Sequence, residues 1–545
     1  MAGISIGNGL SIGNGLSVGS GLTLGGGFYF GGFGGTPTPT LTLNLDFTTM
    51  TALPSTITFS RPSNATYYDS TGKLTYAPNN LLLNTATLST QNVTTAPIKY
   101  ILSFQGTGSV ARTGTSTGTL TGTGVSDRVF VAFTPTAGTL TLTVVGSVTS
   151  AQLEAVTYQT TPSTYVATTS AAYYGARLDY NPATLAARGL LIEEARTNLA
   201  AQSANFSSGW SAINLTRTTD GTLASDGATA AAKYTAAAVS NFAQWFNTIP
   251  YTTVVGTLYA LSIEVDGSSG SFPYVTYTTG SNNWASAVFD TTTASDGAAT
   301  QTGVAGATLV STTQTYLGNG RYRLTLVASM ASGTSAYAQF GLTKSKTGNV
   351  FITYGSIIAS FTGTEYVYVS FVQLEAGAFA TSYIPTAASS VARSADTASM
   401  TGANFSSWYN ATAGAFLVQF DTPASGTRII SAADDNTANN NIQMLTSGTD
   451  PTFLVTTSGT AQASIDAGTV AANTVYKFAG TYSANDFAAC ISGGTVGTDT
   501  SGTIPTVDRL RIGTGQAGNT LCGHLASLVY YPQRLPNATL QSLTS

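Results

Sequence analysis

The stretch Tyr259-Ala260-Leu261-Ser262-Ile263-Glu264-Val265 sets Tyr259, Leu261, Ile263 and Val265 at alternate positions, with smaller or charged residues between them. A period of two places four apolar side chains on one face of an extended strand and the intervening residues on the other. The same alternation recurs at Tyr100, Leu102 and Phe104, at Val129, Val131 and Phe133, at Leu140, Leu142 and Val144, and at Tyr322, Leu324 and Leu326. Gly, Ser and Asn turns separate these runs. Many short strands with turn signals, and little helical period, predict an all-β protein of serial antiparallel sandwiches, jelly-roll-like in type. Two stretches are expected to be helical: Asn181–Thr197, and a last turn around Leu535–Leu543.

Composition agrees with this. Of 545 residues only 8% are charged, against about a quarter in ordinary globular proteins. Gly, Ser, Thr, Ala and Asn take their place. The 27 Tyr and 24 Phe argue against disorder, because disordered chains are poor in aromatic residues. Thr, Ser and Gly weaken helices, whereas Thr, Tyr and Val suit a pleated sheet. The length exceeds what one core can serve and predicts three or four domains. A net charge of −4, with 20 Lys and Arg scattered along the chain, leaves no basic stripe to track phosphates, so nucleic acid is not an expected partner.

Mean hydropathy is +0.14, yet no stretch reaches the roughly 18–20 apolar residues of a spanning helix. No membrane insertion is expected. The opening Met1-Ala-Gly-Ile-Ser-Ile-Gly has neither the basic start nor the continuous apolar core of a secretory signal. Export would then follow lysis or assembly into a particle. Cys490 and Cys522 either pair or stand as two buried thiols, the second fitting assembly in a reducing cytosol.

From Ile4 to Gly27 the hexapeptides ISIGNG, LSIGNG, LSVGSG and LTLGGG follow one another, with apolar residues at Ile4, Ile6, Leu10, Ile12, Leu16, Val18, Leu22 and Leu24. Regular apolar positions predict an ordered anchor that pairs with other chains or a larger surface, since one copy is too small to bury a core. Phe28–Thr40 adds aromatic contacts and a Pro-Thr linker. Farther on, the chain repeats itself. Asn79-Asn80-Leu81-Leu82 opens a β-rich segment that closes on Gln152-Leu153-Glu154-Ala155 and Pro162-Ser163-Thr164-Tyr165-Val166. Thr197-Asn198-Leu199 opens a longer one that closes on Gln373-Leu374-Glu375-Ala376 and Thr381-Ser382-Tyr383-Ile384-Pro385. Like openings and like closings predict two copies of one sandwich.

Ser60–Leu74 (SRPSNATYYDSTGKL), resumed by Arg177–Leu199 (RLDYNPATLAARGLLIEEARTNL), resembles the phage head spike fibre domain, here split by the first sandwich as if by insertion. The two QLEA closings resemble carbohydrate-binding-module-like jelly rolls. Gly414–Thr422 with the final GHLASLVYYPQRLPNATLQSLT resembles a concanavalin-like, laminin-G-type lectin sandwich. These likenesses imply five parts: an anchor and linker over 1–40; a head-spike-like segment over 41–80 completed by 169–197; jelly rolls over 81–168 and 198–395; and a lectin-like sandwich over 396–545. They imply a structural fibre or spike on the surface of a phage virion, a tail fibre or a head fibre. Its N-terminus would dock on other virion proteins (capsid, portal or tail), and its distal sandwiches would adhere to host cell-surface glycan. Fibres of this kind are commonly homotrimers. A polysaccharide-degrading depolymerase spike is the alternative, and a bacterial surface adhesin a third.

For the ligand contact, flat aromatic faces stack on sugar rings. Trp284, in the polar run Gly280-Ser281-Asn282-Asn283, and Trp210 are the aromatic candidates, whereas Trp245 in an alternating run reads as core. Asp434 and Asp435, beside Asn436 and Asn439–Asn441, supply oxygens for a sugar or a Ca²⁺ ion, though such loops are also ordinary turn chemistry. No resident metal or cofactor is expected. Glu193 and Glu194 with Arg196 form the densest charge cluster, but neighbours on one strand face opposite ways and would not flank one substrate. Glu154 and Glu375, at equivalent points of the two copies, read as hydrogen-bonding carboxylates. The single histidine, His524, has no G-x-S-x-G nucleophile near it, and the chain carries no Walker loop, H-E-x-x-H or C-x-x-C. No enzyme is expected.

Overall fold

Each alternating run forms a strand in the computed structural model, which describes residues 40–204, 206, 208–423 and 425–545. The hexapeptide repeat and its proposed anchor positions Ile4, Ile6, Leu10, Ile12, Leu16, Val18, Leu22 and Leu24 lie outside the described residues. Described strands pair antiparallel into sheets that face one another across three cores.

In the first sandwich the strands Gly124–Phe133, Tyr100–Gly106 and Thr149–Ala155 form one sheet. Gln91–Thr95, Gly138–Val145, Ser109–Gly114 and Gly118–Thr121 form the other. Leu102, Phe104, Val110, Leu140, Leu142 and Leu153 fill the space between. The second sandwich is larger. Its seven-stranded sheet orders Trp210–Ile213, Ala243–Asn247, Ser335–Thr343, Phe272–Gly280, Asn283–Val288 and Gln301–Ala305, with Tyr251–Thr252 also on Ser335–Thr343. Its six-stranded sheet orders Leu215–Leu223, Ala230–Ala236, Tyr366–Ala376, Tyr259–Ser269, Arg321–Met330 and Ala307–Gly318. Tyr259, Leu261, Ile263 and Val265 all enter its core.

The third sandwich packs an eight-stranded against a seven-stranded sheet and draws strands from before residue 396 as well as after it. Leu43–Asp46 and Ala187–Ile192 pair with Gly523–Tyr531, Arg177–Tyr180 pairs with Ala187–Ile192, and Thr58–Ser60 pairs with Thr397–Thr401. The chain leaves for the first sandwich through Asn79–Asn80 and returns beside it through Tyr173–Tyr174. It leaves for the second through Arg196–Asn198 and returns through Val391–Arg393, again as paired strands. Both sandwiches are thus insertions on two-stranded stalks.

The helix expected over Asn181–Thr197 is absent. The Asn181 Oδ1 accepts the Ala183 and Thr184 N–H groups, making a local turn in competition with the helix. Leu185 then takes a left-handed φ of 61°, and the chain returns as the strand Ala187–Ile192. The C-terminal helix does form, over Asn537–Thr544. Cys490 and Cys522 are both free and buried, and burial pushes the Cys522 thiol up to about 12.

Candidate functional site

The duplicated sequence marks a duplicated hydrogen-bond frame. Asn80 Nδ2 donates to the Ala151 and Val166 carbonyls, and its Oδ1 accepts the Leu82 and Leu153 N–H groups. Asn198 repeats this with Val372, Ile384, Ala200 and Leu374. The Glu154 Oε1 accepts the Ser163 N–H at 2.9 Å, as the Glu375 Oε1 accepts the Thr381 N–H at 2.7 Å. Arg128 reaches Ser103 Oγ and the Ser163 carbonyl; Arg323 reaches Ser262 Oγ and the Thr381 carbonyl. Both glutamates therefore hold the closing segment onto the last strand.

Charges quoted in the split motif meet in one buried seam. Arg61 Nη1 donates to Asp396 Oδ1 at 2.8 Å, and Arg177 binds Glu193 Oε2 at 2.5 Å and also Asp396. Arg393 lies 2.8 Å from Glu193, whose Oε1 accepts the Ser382 N–H. Burial alone would raise the Glu193 carboxyl, but Arg393 and Arg177 outweigh it and hold it well below the usual carboxylate range. Glu194 faces the other way, to Arg196 at 2.5 Å and Arg428 at 2.8 Å. Fully ionised and paired on both sides, these carboxylates orient the stalk of the second sandwich. Nearby, His524 Nε2 meets Asp179 at 2.8 Å and its Nδ1 meets Asp421 at 3.0 Å, with Arg188 on the far oxygen of Asp421. Against the effect of burial, a carboxylate on each ring nitrogen favours the doubly protonated ring and raises the imidazole above its ordinary 6.5.

The open chemistry lies on the outer face of the six-stranded sheet. Val367, Val369, Ala232 and Tyr234 point into the core, so alternation turns Tyr366, Tyr368 and Lys233 outward, where they are half-buried. The Tyr366 and Tyr368 rings lie edge to face at 5.4 Å, and Lys233 Nζ stands 4.2 Å from the first centroid and 5.4 Å from the second. In register across the sheet run Thr218, Lys233, Tyr368, Asp266 and Arg321. Asp266 and Arg321 pair at 3.1 Å. The result is a shallow surface of two aromatic rings, a cation, a paired carboxylate and hydroxyls. The matching sheet of the first sandwich has three strands, with no counterpart of Leu215–Leu223 or Ala230–Ala236. Added strands thus contribute Lys233 and Thr218 to this face, whereas Tyr366, Tyr368 and Asp266 lie on strands that both copies share.

The candidate residues named from sequence lie elsewhere. Trp284 is not on an exposed loop. It sits in the strand Asn283–Val288, 7% exposed, beneath Phe351 at 5.7 Å. Trp210 is half-buried against Phe206 and Phe340. Asp434 is 1% exposed and bound by Arg511 at 2.7 Å, so it offers no oxygen to a surface ligand. Asp435 is engaged by Thr437 and Asn440 of its own loop. Among the described residues no group of three His, Cys, Asp or Glu is placed to hold a metal ion. Sequence reasoning passed over Tyr366-Val367-Tyr368-Val369, although aromatic residues on the polar phase of an alternating strand were the available signal.

No family model matches this chain, and neither does any curated protein. Among solved structures, the mouse laminin alpha1 chain, domains LG4-5, is similar at 10% identity and a TM-score of 0.19, covering 55% of this chain and 88% of that one. A Trypanosoma rangeli sialidase is similar at 11% identity and a TM-score of 0.21, covering 60% of this chain and 52% of that one. Likeness at these TM-scores carries no functional argument, and the assignment as an all-β sandwich protein rests on the sheets themselves.

Proposed function

We propose that the chain is an adhesive fibre or spike of a phage particle that contacts host-surface glycan through the second sandwich. The observation carrying the glycan reading is the Tyr366–Tyr368–Lys233 face: aromatic rings to stack on sugar rings, ringed by groups that bond hydroxyls, with Lys233 on a strand the simpler copy lacks. The particle reading is supported by the motif resemblance, whose quoted charges Arg61, Arg177 and Glu193 work as one unit. On this reading the N-terminal repeat docks on capsid, portal or tail, and the chain assembles as a homotrimer.

The test is binding to a printed array of bacterial surface polysaccharides. With stacking worth about 0.5–1.5 kcal/mol per ring, Tyr366→Ala with Tyr368→Ala should weaken the strongest signal roughly tenfold with unchanged unfolding. An unchanged signal would refute the assigned face, and release of oligosaccharides during incubation would favour the depolymerase. Deleting residues 1–35 should abolish incorporation into particles while the sandwiches stay folded; continued incorporation would refute the anchor.

A further inference from the structure

The outer face of the seven-stranded sheet is covered by a strap of the chain's own backbone. Between the strands Ser335–Thr343 and Ala359–Ser360, residues 349–358 cross over Phe272–Gly280 and Asn283–Val288, closed on themselves by a bridge between Phe351 and Ile357. Beneath lie Trp284, Gln244, Gln339, Thr276, Ser286 and Tyr274. All point away from the sandwich core, since Ala285, Ala287, Val275 and Ala338 on the same strands point into it.

What the strap does to this bed is what a sugar would do. The Ser356 hydroxyl donates to Gln244 Oε1 at 2.7 Å and accepts from Gln339 Nε2 at 3.1 Å, the double role of a saccharide hydroxyl. The Gly355 carbonyl accepts Ser286 Oγ at 3.0 Å and Thr276 Oγ1 at 3.5 Å. The Gly355 backbone lies close on the indole: a Cβ there would come within 2.9 Å of Trp284 Cε3. Indole, two amides and three hydroxyls, with no charged group among the six, are a set for a neutral polyhydroxylated ring.

The strap is anchored at one apolar point, Ile357 against Tyr274 and Val288, and is otherwise strained and lightly held. Tyr354 holds φ 62°, ψ 12°, a left-handed conformation that is strained for a non-glycine residue. Its outer side exposes apolar surface, with Val350 at 75%, Ile358 at 55% and Tyr354 at 48% exposure. Besides the Gly355 carbonyl, its central backbone is held by the Tyr354 N–H to the carbonyl of Ser281, in the turn between two strands, at 3.1 Å, and by Gln339 Nε2 to the Tyr354 carbonyl at 3.5 Å. At the start of the strap, Asn349 is clasped by Gln301 and Thr343, which makes that end a hinge.

We propose that residues 349–358 are an autoinhibitory strap over a second binding site, which takes a neutral hexose or N-acetylhexosamine unit stacked on Trp284 and bonded by Gln244, Gln339, Thr276 and Ser286. The site rests on reading this sandwich as a glycan adhesin, but it is separate from the Tyr366–Tyr368 face and fails separately from it.

Gly303→Ala tests this without touching the bed, because its Cβ would meet the Phe351 ring at 2.5 Å and push the strap away. Replacing residues 350–357 by Gly-Ser-Gly uncovers the bed outright. Acrylamide quenching attributable to Trp284, taken against the same chains carrying Trp284→Phe, should rise in both variants. Binding to the neutral hexose and N-acetylhexosamine oligosaccharides of a printed array should rise at least about tenfold over the unmodified chain, and Trp284→Ala in the Gly303→Ala background should abolish that gain. Tyr366→Ala with Tyr368→Ala should leave the gain intact. If neither variant raises quenching, the strap is not the cover; if quenching rises without binding, or the gain survives Trp284→Ala, the site is refuted. Hydrogen exchange on the unmodified chain gives an independent reading. The Tyr354 and Gly355 amides should exchange faster than those of Asn283–Val288, and equal protection would count against a lifting strap.

Discussion

Arg177 holds two carboxylates at once, Glu193 through Nη1 and Asp396 through Nη2, with all three side chains buried. Taking away one member of a buried ion cluster leaves its partners charged and desolvated, a loss of about 3–5 kcal/mol. Arg177→Met should show a loss of that size in urea unfolding, and a change under about 1 kcal/mol would mean that the seam is not ionised as described. His524 makes stability depend on pH. Burial pushes its imidazole down and Arg188 adds to this, but the Asp421 charge and the hydrogen bonds to Asp179 and Asp421 outweigh both, leaving it above its ordinary 6.5. Burial would raise Asp421, but His524 outweighs it and the carboxyl lies below its ordinary range. The imidazolium contribution is complete below about pH 6.5 and fades as pH rises through the raised native value. The Asp421 contribution is present above about pH 4 and fades as pH falls through the lowered native value. Urea midpoints measured from pH 5 to 9 should fall on the alkaline side, and His524→Gln should flatten that fall. An identical slope in both chains would exclude the histidine as its source.

At the scale of elements, the repeated asparagines do equal work in unequal sandwiches. Asn80→Ala and Asn198→Ala each strip partners from four backbone groups, at about 1–3 kcal/mol for each group left buried and unpaired. Each should lower the calorimetric transition of its own sandwich by several degrees. In the double variant the losses should add within about 0.5 kcal/mol, since the sites share no partners. Strands and duplication were legible because a period of two, and the Asn and Gln-Leu-Glu signatures, are local. The stretch Asn181–Thr197 misled because its Ala, Leu and Glu favour helix, while the Asn181 turn and left-handed Leu185 that stop it are geometric. Distance hid the rest. Arg61 finds Asp396 across 335 residues, and the cover over Trp284 comes from Phe351 and Gly355, so the polar run before the tryptophan read as an exposed loop.

For the whole molecule, connectivity decides what can be cut. The first sandwich leaves and returns through Asn79–Asn80 paired with Tyr173–Tyr174, so replacing residues 82–171 by a two-residue Asn-Gly turn closes the stalk as an ordinary hairpin. The shortened chain gives up the bonds of Asn79 and Asn80 to the first sandwich, those of Leu74, Asp69 and Thr75 to residues 157–159, and the Lys73 contact on Tyr158, yet it keeps every strand of the third sandwich. It should therefore fold, with the seam intact. The fragment 396–545 should not. It lacks Leu43, Leu45, Phe47, Leu190 and Ile192, all buried in the third core, at about 1.5–3 kcal/mol each. Their sum, roughly 7–15 kcal/mol, matches the whole stability of a typical domain. Far-UV circular dichroism and proteolysis separate the outcomes. A protease-resistant, cooperatively unfolding 396–545 fragment would show that the strands from 43–46, 58–60, 177–180 and 187–192 are a decoration on a self-sufficient sandwich, rather than the part of it that makes the two insertions part of one structure.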